Sequence, residues 1–143
     1  MVRLLVGVWR LEQIRDRMSD GRVEDHPDLG SDVDGLLVYT ESGYVSVQFM
    51  RRGRKPWKRE DEPTDAERAR CARGYGAYAG RFTVDAKAGI VRHEVQTALI
   101  PNRVGVTLTR AFSIEGDRLT LSPPPFRRNG IEVRRSLVWR RVG

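Results

Sequence analysis

Short β-rich runs, each about the length of one strand and each ended by turn chemistry, recur along nearly the whole of this chain. Leu4 to Arg15 is the first, closed by Ser19-Asp20-Gly21. Gly35 to Thr40 and Tyr44 to Met50 flank Glu41-Ser42-Gly43, a hairpin turn. Ala77 to Val84 leads through Asp85-Ala86-Lys87-Ala88-Gly89 into Ile90 to Leu99, and Gly105 to Ile114 meets Arg118 to Ser122 across Glu115-Gly116-Asp117. Ile131 to Val142 closes the series, after a rigid Pro123-Pro124-Pro125 loop. This spacing predicts an all-β up-and-down barrel or sandwich. One segment alone reads as helix: Pro63-Thr64-Asp65-Ala66-Glu67 supplies a capping box, Arg68 to Arg73 suits the C-terminal end, and Gly74 stops it.

The 143 residues suit a single domain, 1–143, with a real hydrophobic core. No stretch approaches the roughly 18 apolar residues of a membrane helix, so no membrane partner is expected. The opening run is broken by Arg3, Gly7 and Arg10 and lacks a cleavage signal, so secretion is not expected either. The lone Cys71 excludes an internal disulfide and fits a cytoplasmic setting. His26 and His93 lie far apart and outside any metal-spacing motif, so no metal is expected. With no nucleotide-binding glycine loop or serine elbow, a cofactor-free chain is expected. The net charge of +7 raises nucleic acid as a partner. The densest basic cluster, Arg51 to Arg59, is answered at once by Glu60-Asp61-Glu62, and a solvated basic surface is the expectation. A homodimer is compatible with the general frequency of symmetric pairs, with no residue assigned to an interface.

Gly7-Val8-Trp9 within Leu5 to Leu11 resembles the opening of the bacterial and fungal lipocalin-like domain family. Gly35 to Thr40, Gly43 to Ser46 and Tyr78-Ala79-Gly80-Arg81-Phe82 are similar to its inner strands. So are His93 to Gly105, with Pro101-Asn102, and Gly116 to Leu121, while Leu137-Val138-Trp139-Arg140-Arg141 resembles its close. The matches keep their order over nearly the full chain. The resemblance implies a lipocalin-like closed antiparallel barrel with an internal cavity. The short helix lies in a long insertion, Arg51 to Arg73, whose length suggests a lid. The resemblance also implies that Arg141, or else Arg140, stacks on Trp9 as a structural closure. It does not choose an activity.

Alternation along strands nominates the interior. Val91, His93, Val95, Thr97 and Leu99 share one face, and Val106, Leu108, Arg110, Phe112 and Ile114 share another. A guanidinium among apolar neighbours needs a partner: a ligand oxyanion, an internal carboxylate, a tyrosine ring or the rim. His93 suits proton transfer near neutrality, against the reading of a core histidine hydrogen-bonded to a tyrosine or a backbone carbonyl. Tyr78 shares a face with Phe82 and is expected inside. Tyr44 and Gln48 line the cavity only if the Tyr44–Met50 strand turns that face inward; Val45, Val47 and Phe49 are the more apolar alternative, and Tyr39 is open in the same way. Asn102 reads as a turn residue or a ligand contact. Trp57 is a candidate cap, and Cys71 a packing residue.

The expected contents are a small apolar or aromatic metabolite. The catalytic reading is a non-redox cyclase, isomerase or dehydratase acting on a polyketide-like molecule. There Arg110 holds an oxyanion, His93 is acid or base, and Tyr78 orients. Its wall would be Trp9, Tyr39, Tyr44, Gln48, Phe82, Asn102, Leu108 and Phe112. The alternative is a carrier with the same pocket and no chemistry. A third reading, an interaction domain with a side-chain-filled interior, predicts no cavity.

Overall fold

The computed structural model describes residues 2–143, residue 2 by its backbone alone. Its strands are β1 (Gly7–Met18), β2 (Val23–Glu24), β3 (Val33–Tyr39), β4 (Tyr44–Arg51), β5 (Tyr75–Asp85), β6 (Ile90–Ala98), β7 (Thr107–Glu115), β8 (Arg118–Ser122), β9 (Phe126–Arg128) and β10 (Ile131–Arg141). Helix α1 (Val2–Leu5) precedes them, α2 (Asp65–Arg73) joins β4 to β5, and a 3₁₀ turn (Pro101–Arg103) joins β6 to β7. Eight strands pair antiparallel in succession and β10 returns to β1, closing a barrel; β2 and β9 are short additions at its edge. Closure leaves no exposed strand edge around the ring.

The two ends differ because the connections differ. Tight turns after Tyr39, Asp85 and Glu115 gather at one end, together with both termini. The four long connections, after Met18, Arg51, Ala98 and Ser122, all open at the other. The closed end is sealed around Trp9. Its indole Nε1 donates to the Leu5 carbonyl (2.9 Å), and the Arg141 guanidinium lies 4.1 Å above its ring centroid. Arg141 also donates to the carbonyls of Val6 and Leu4 (both 2.8 Å), tying α1 down as a plug. The first strand therefore starts at Gly7 and runs to Met18 rather than spanning Leu4 to Arg15. Gly7 makes the change of direction: its φ is +139°, and a Cβ there would stand 2.6 Å from Arg141 Nη1 and from the Gly143 carbonyl oxygen.

Two irregularities set which side chains face inward. On β1 the register with β10 shifts between Leu11 and Gln13, so Trp9 and Leu11 are buried before the shift and Ile14, Asp16 and Met18 after it. On β6 the pairing steps from Val95 to Thr97 as β5 steps from Gly80 to Ala79. The bulged strand presses its Glu94 carbonyl against Gly80, leaving no room for a Cβ. Beyond this point Thr97 and Leu99 are exposed and Ala98 packs on the core. Their expected inward placement is corrected for that reason.

At the open end the shift on β1 brings Asp16 fully inside. It accepts two bonds from Arg135 (2.8 and 3.0 Å) and one from Arg128 (2.7 Å), joining β1, β9 and β10. Burial pushes its pKa up, but the hydrogen bonds and charges of the two arginines outweigh that and hold the carboxyl below its usual range. Asp16→Asn removes the buried carboxylate from between two guanidinium groups and leaves only Glu24, 3.6 Å from Arg128, as a counter-charge. Urea unfolding is expected to show a loss of about 3 kcal/mol. A carboxyl lowered by folding stabilises above its unfolded pKa and stops doing so as pH falls through the folded one. The acid-side fall below about pH 4 is therefore shallower in the variant; equal stability and equal slopes would mean that the cluster contributes nothing.

Candidate functional site

The barrel encloses a cavity of about 430 Å³ in its open half. Ile14, Leu37, Val47, Phe49, Leu108, Leu121, Leu137 and Trp139 form its apolar wall, and Tyr78, His93, Arg110 and Arg103 supply a polar side. Its mouth is bordered by His26 and Leu29 from the turn after β2 and by Pro123, Pro124 and Phe126 ahead of β10. Residues 51–74 contribute nothing to the lining. The lid expected of that insertion is corrected: the connections that border the lining are these two others.

The insertion has its own local order. Thr64 and Glu67 form the anticipated capping box on α2, and Glu67 also accepts from the Lys58 backbone (2.8 Å). Trp57 donates to Cys71 Sγ (3.0 Å) outside the barrel, so it is not a cap over the cavity. Arg59 turns back on Asp61 and Glu62, as the charge order in the sequence suggests.

His93 is the centre of the polar side. It is 1% exposed, with Tyr39 hydroxyl 2.7 Å from Nε2 and Tyr78 hydroxyl 2.7 Å from Nδ1. Burial first, then the charge of Arg110, push its pKa down to about 3. The ring is therefore neutral near pH 7, with one nitrogen donating and one accepting. Tyr39 is 1% exposed, and its hydroxyl has no other hydrogen-bond partner among the described residues. If Nε2 carried the proton, the Tyr39 hydrogen would be left buried and unused, at a cost of roughly 1–3 kcal/mol. The satisfied order is Tyr39 O–H to Nε2, and Nδ1–H to the Tyr78 oxygen. Tyr78, which lines the cavity, then keeps its own hydrogen uncommitted among the described residues.

Arg110 stands beside this chain. Its Nη1 donates to the Thr109 carbonyl (3.0 Å), and no carboxylate among the described residues pairs with it. Burial lowers its pKa, and the nearby Arg103 acts in the same direction. Burial likewise raises Tyr78 and Arg110 opposes the rise, which places the two groups in electrical contact. Trp139 also lines the cavity; its side chain is fully buried, and its Nε1 meets no acceptor among the described residues.

Of the residues nominated from sequence, the structure brings His93, Arg110, Tyr78 and Leu108 together on the cavity. Tyr39 stands behind them as the second partner of His93. Phe82 packs edge-on against Tyr39 (4.7 Å between centroids), and Phe112 packs on the core; neither reaches the lining. Trp9 belongs to the closed end. Tyr44 and Gln48 are corrected: β4 buries Val45 and Val47, while Tyr44 is 44% exposed under Arg81 and Gln48 donates to Ser46 on the outer face. Asn102 is corrected too, since it is exposed on the 3₁₀ turn and its neighbour Arg103 reaches the cavity instead. Sequence reasoning missed Arg103, Arg135, His26 and Trp139; only Trp139, two residues before the Arg141 closure on an inward step, carried a readable signal.

Both nitrogens of the neutral ring are engaged by tyrosine hydroxyls, and its titration is a stability effect. The folded pKa lies below the unfolded value near 6.5, so the stabilisation is complete above about pH 6.5 and is lost progressively toward pH 3. His26 is also lowered, by burial and by Arg135, and acts in the same direction. Chemical denaturation of His93→Gln is expected to show a shallower slope between pH 6.5 and 4 than the unsubstituted chain, though not a flat one. Identical slopes would mean that His93 is not buried neutral.

The comparisons agree with this architecture. The description "Lipocalin-like domain" matches residues 6–142. The 4'-hydroxy-3'-methoxypropiophenone carrier protein of Aspergillus oryzae is 39% identical over 107 residues, covering 68% of this chain and 96% of that protein. No helix among the described residues is long and apolar enough to cross a membrane. By fold and by sequence, the chain belongs to the lipocalin-like domain family.

Proposed function

We propose that this protein is a cofactor-free binding or carrier protein for a small, largely apolar aromatic metabolite held inside the barrel. The observation that carries the reading is the cavity itself: about 430 Å³, apolar over most of its wall, with Tyr78, His93, Arg110 and Arg103 gathered on one side. That size lies within the range of small-molecule sites, and a few placed polar groups in an apolar pocket are what orient a ligand. The similarity to a carrier of an aromatic ketone supports the same class of contents. The occupation of both His93 nitrogens supports binding over a cyclase, isomerase or dehydratase, which needs an acid or base free to meet its substrate.

Native mass spectrometry of the purified protein, with extraction of whatever is bound, tests this directly. A single-ring or double-ring aromatic molecule, recovered chemically unchanged after incubation, is the expected result. Leu108→Trp, which fills the cavity from β7, is expected to abolish uptake while leaving the midpoint of unfolding within a few degrees. Conversion of the molecule into a product would favour the enzyme. Uptake undiminished by the tryptophan would place the site elsewhere.

A further inference from the structure

We propose that the cavity selects acidic phenols and binds them as phenolate anions, with the charged oxygen at Arg110 and Tyr78. This rests on the binding reading above and specifies the chemistry of the molecule bound.

The lining holds no Asp, Glu, Asn, Gln, Ser or Thr. Its potential acceptors are already used. His93 takes the Tyr39 hydrogen at Nε2, and the Tyr78 oxygen takes the His93 hydrogen. His26 Nδ1 accepts from the backbone of Asp28 and Leu29 (3.1 Å each), so when neutral its remaining nitrogen is a donor. What faces the interior is thus a set of donors: the Tyr78 hydroxyl and the Arg110 guanidinium. A ligand whose main polar feature is a donor finds no uncommitted side-chain acceptor on the lining.

Charge narrows the choice from acceptor to anion. Arg110 and Arg103 both line the cavity and repel each other, with no carboxylate between them. Arg135, the other cation of the lining, is already paired with Asp16. An anionic oxygen beside Arg110 removes that repulsion and gains charge-assisted hydrogen bonds. An opposite charge within about 4–6 Å lowers an acid's pKa by roughly 1–3 units. The apolar walls suit a ring better than a small hydrated anion, and a phenol carries an ionisable oxygen on such a ring. Binding from neutral solution then follows a balanced course: the phenolic O–H gives its proton to solvent, and the phenolate enters.

The probe is 4-nitrophenol, whose phenolate alone absorbs strongly in the visible, with 4-nitroanisole as its non-ionisable twin. Absorbance titration with excess protein is expected to show the bound phenol ionising about 1 unit or more below the free one. Dialysis is expected to show at least tenfold tighter binding of the phenol than of the ether at pH 8. In Arg110→Met the pKa shift and the preference are expected to vanish while the ether still binds, which reports an intact barrel. Arg103→Gln, on a surface turn, is expected to reduce the shift without loss of fold. Should both probes bind with equal affinity and an unshifted pKa, the anion proposal is overturned and the binding reading stands. Should neither bind, and no other aromatic molecule be retained, both fail.

Discussion

The pairing of β1 with β10 makes an inside out of what would otherwise be an open sheet, and each unusual property of the interior follows from it. Gly7 lets the chain turn into that pairing, Arg141 clamps Trp9 from above, and α1 is drawn down as a plug. Once the ring is shut at that end, groups such as His93 and Tyr39 lose access to water. Their hydrogen bonds are then met within the protein, with Tyr39, His93 and Tyr78 supplying one another. The cost of a stray buried hydrogen fixes the direction in which the protons run along the three side chains.

That direction converts a packing feature into a recognition feature. Tyr39, deep in the core, commits its hydrogen to His93; His93 commits its own to Tyr78; and Tyr78 is left to donate into the cavity. The histidine acts as a connector whose low pKa keeps it neutral, and its value to the site is orientational. Arg110 and Arg103 add unbalanced positive charge on the same side. The opposite wall, from Ile14 and Leu37 to Leu137, is indifferent to chemistry and sensitive to shape. In the proposed binding role, affinity for a flat apolar body and preference for an oxygen acceptor thus come from different strands.

Much of this was legible in the sequence because period-two alternation survives wherever a strand is regular. His93 between Val91 and Val95, and Arg110 between Leu108 and Phe112, could be placed inward from spacing alone, and the capping box of α2 could be read from Thr64 and Glu67. The failures have local causes. The register shifts near Glu12 and Gln96 reverse the inward face partway along a strand, which hid Asp16 and misplaced Thr97 and Leu99. The two faces of β4 were both plausible until its neighbours were known; burial then chose Val45 and Val47 over Tyr44 and Gln48. Arg103 and His26 sit on connections, where no periodicity operates, and the β4–β5 insertion packs outside the barrel although its length suggested a lid.

The central claim is the proton order through His93, and NMR of the imidazole ring tests it most directly. Long-range proton–nitrogen correlations at neutral pH are predicted to show Nδ1 bearing the hydrogen and Nε2 bare, unchanged as the pH is lowered to about 5. A hydrogen on Nε2, or a ring that titrates near the usual histidine value of about 6.5, would contradict it. Tyr78 would then no longer be the donor that the cavity presents.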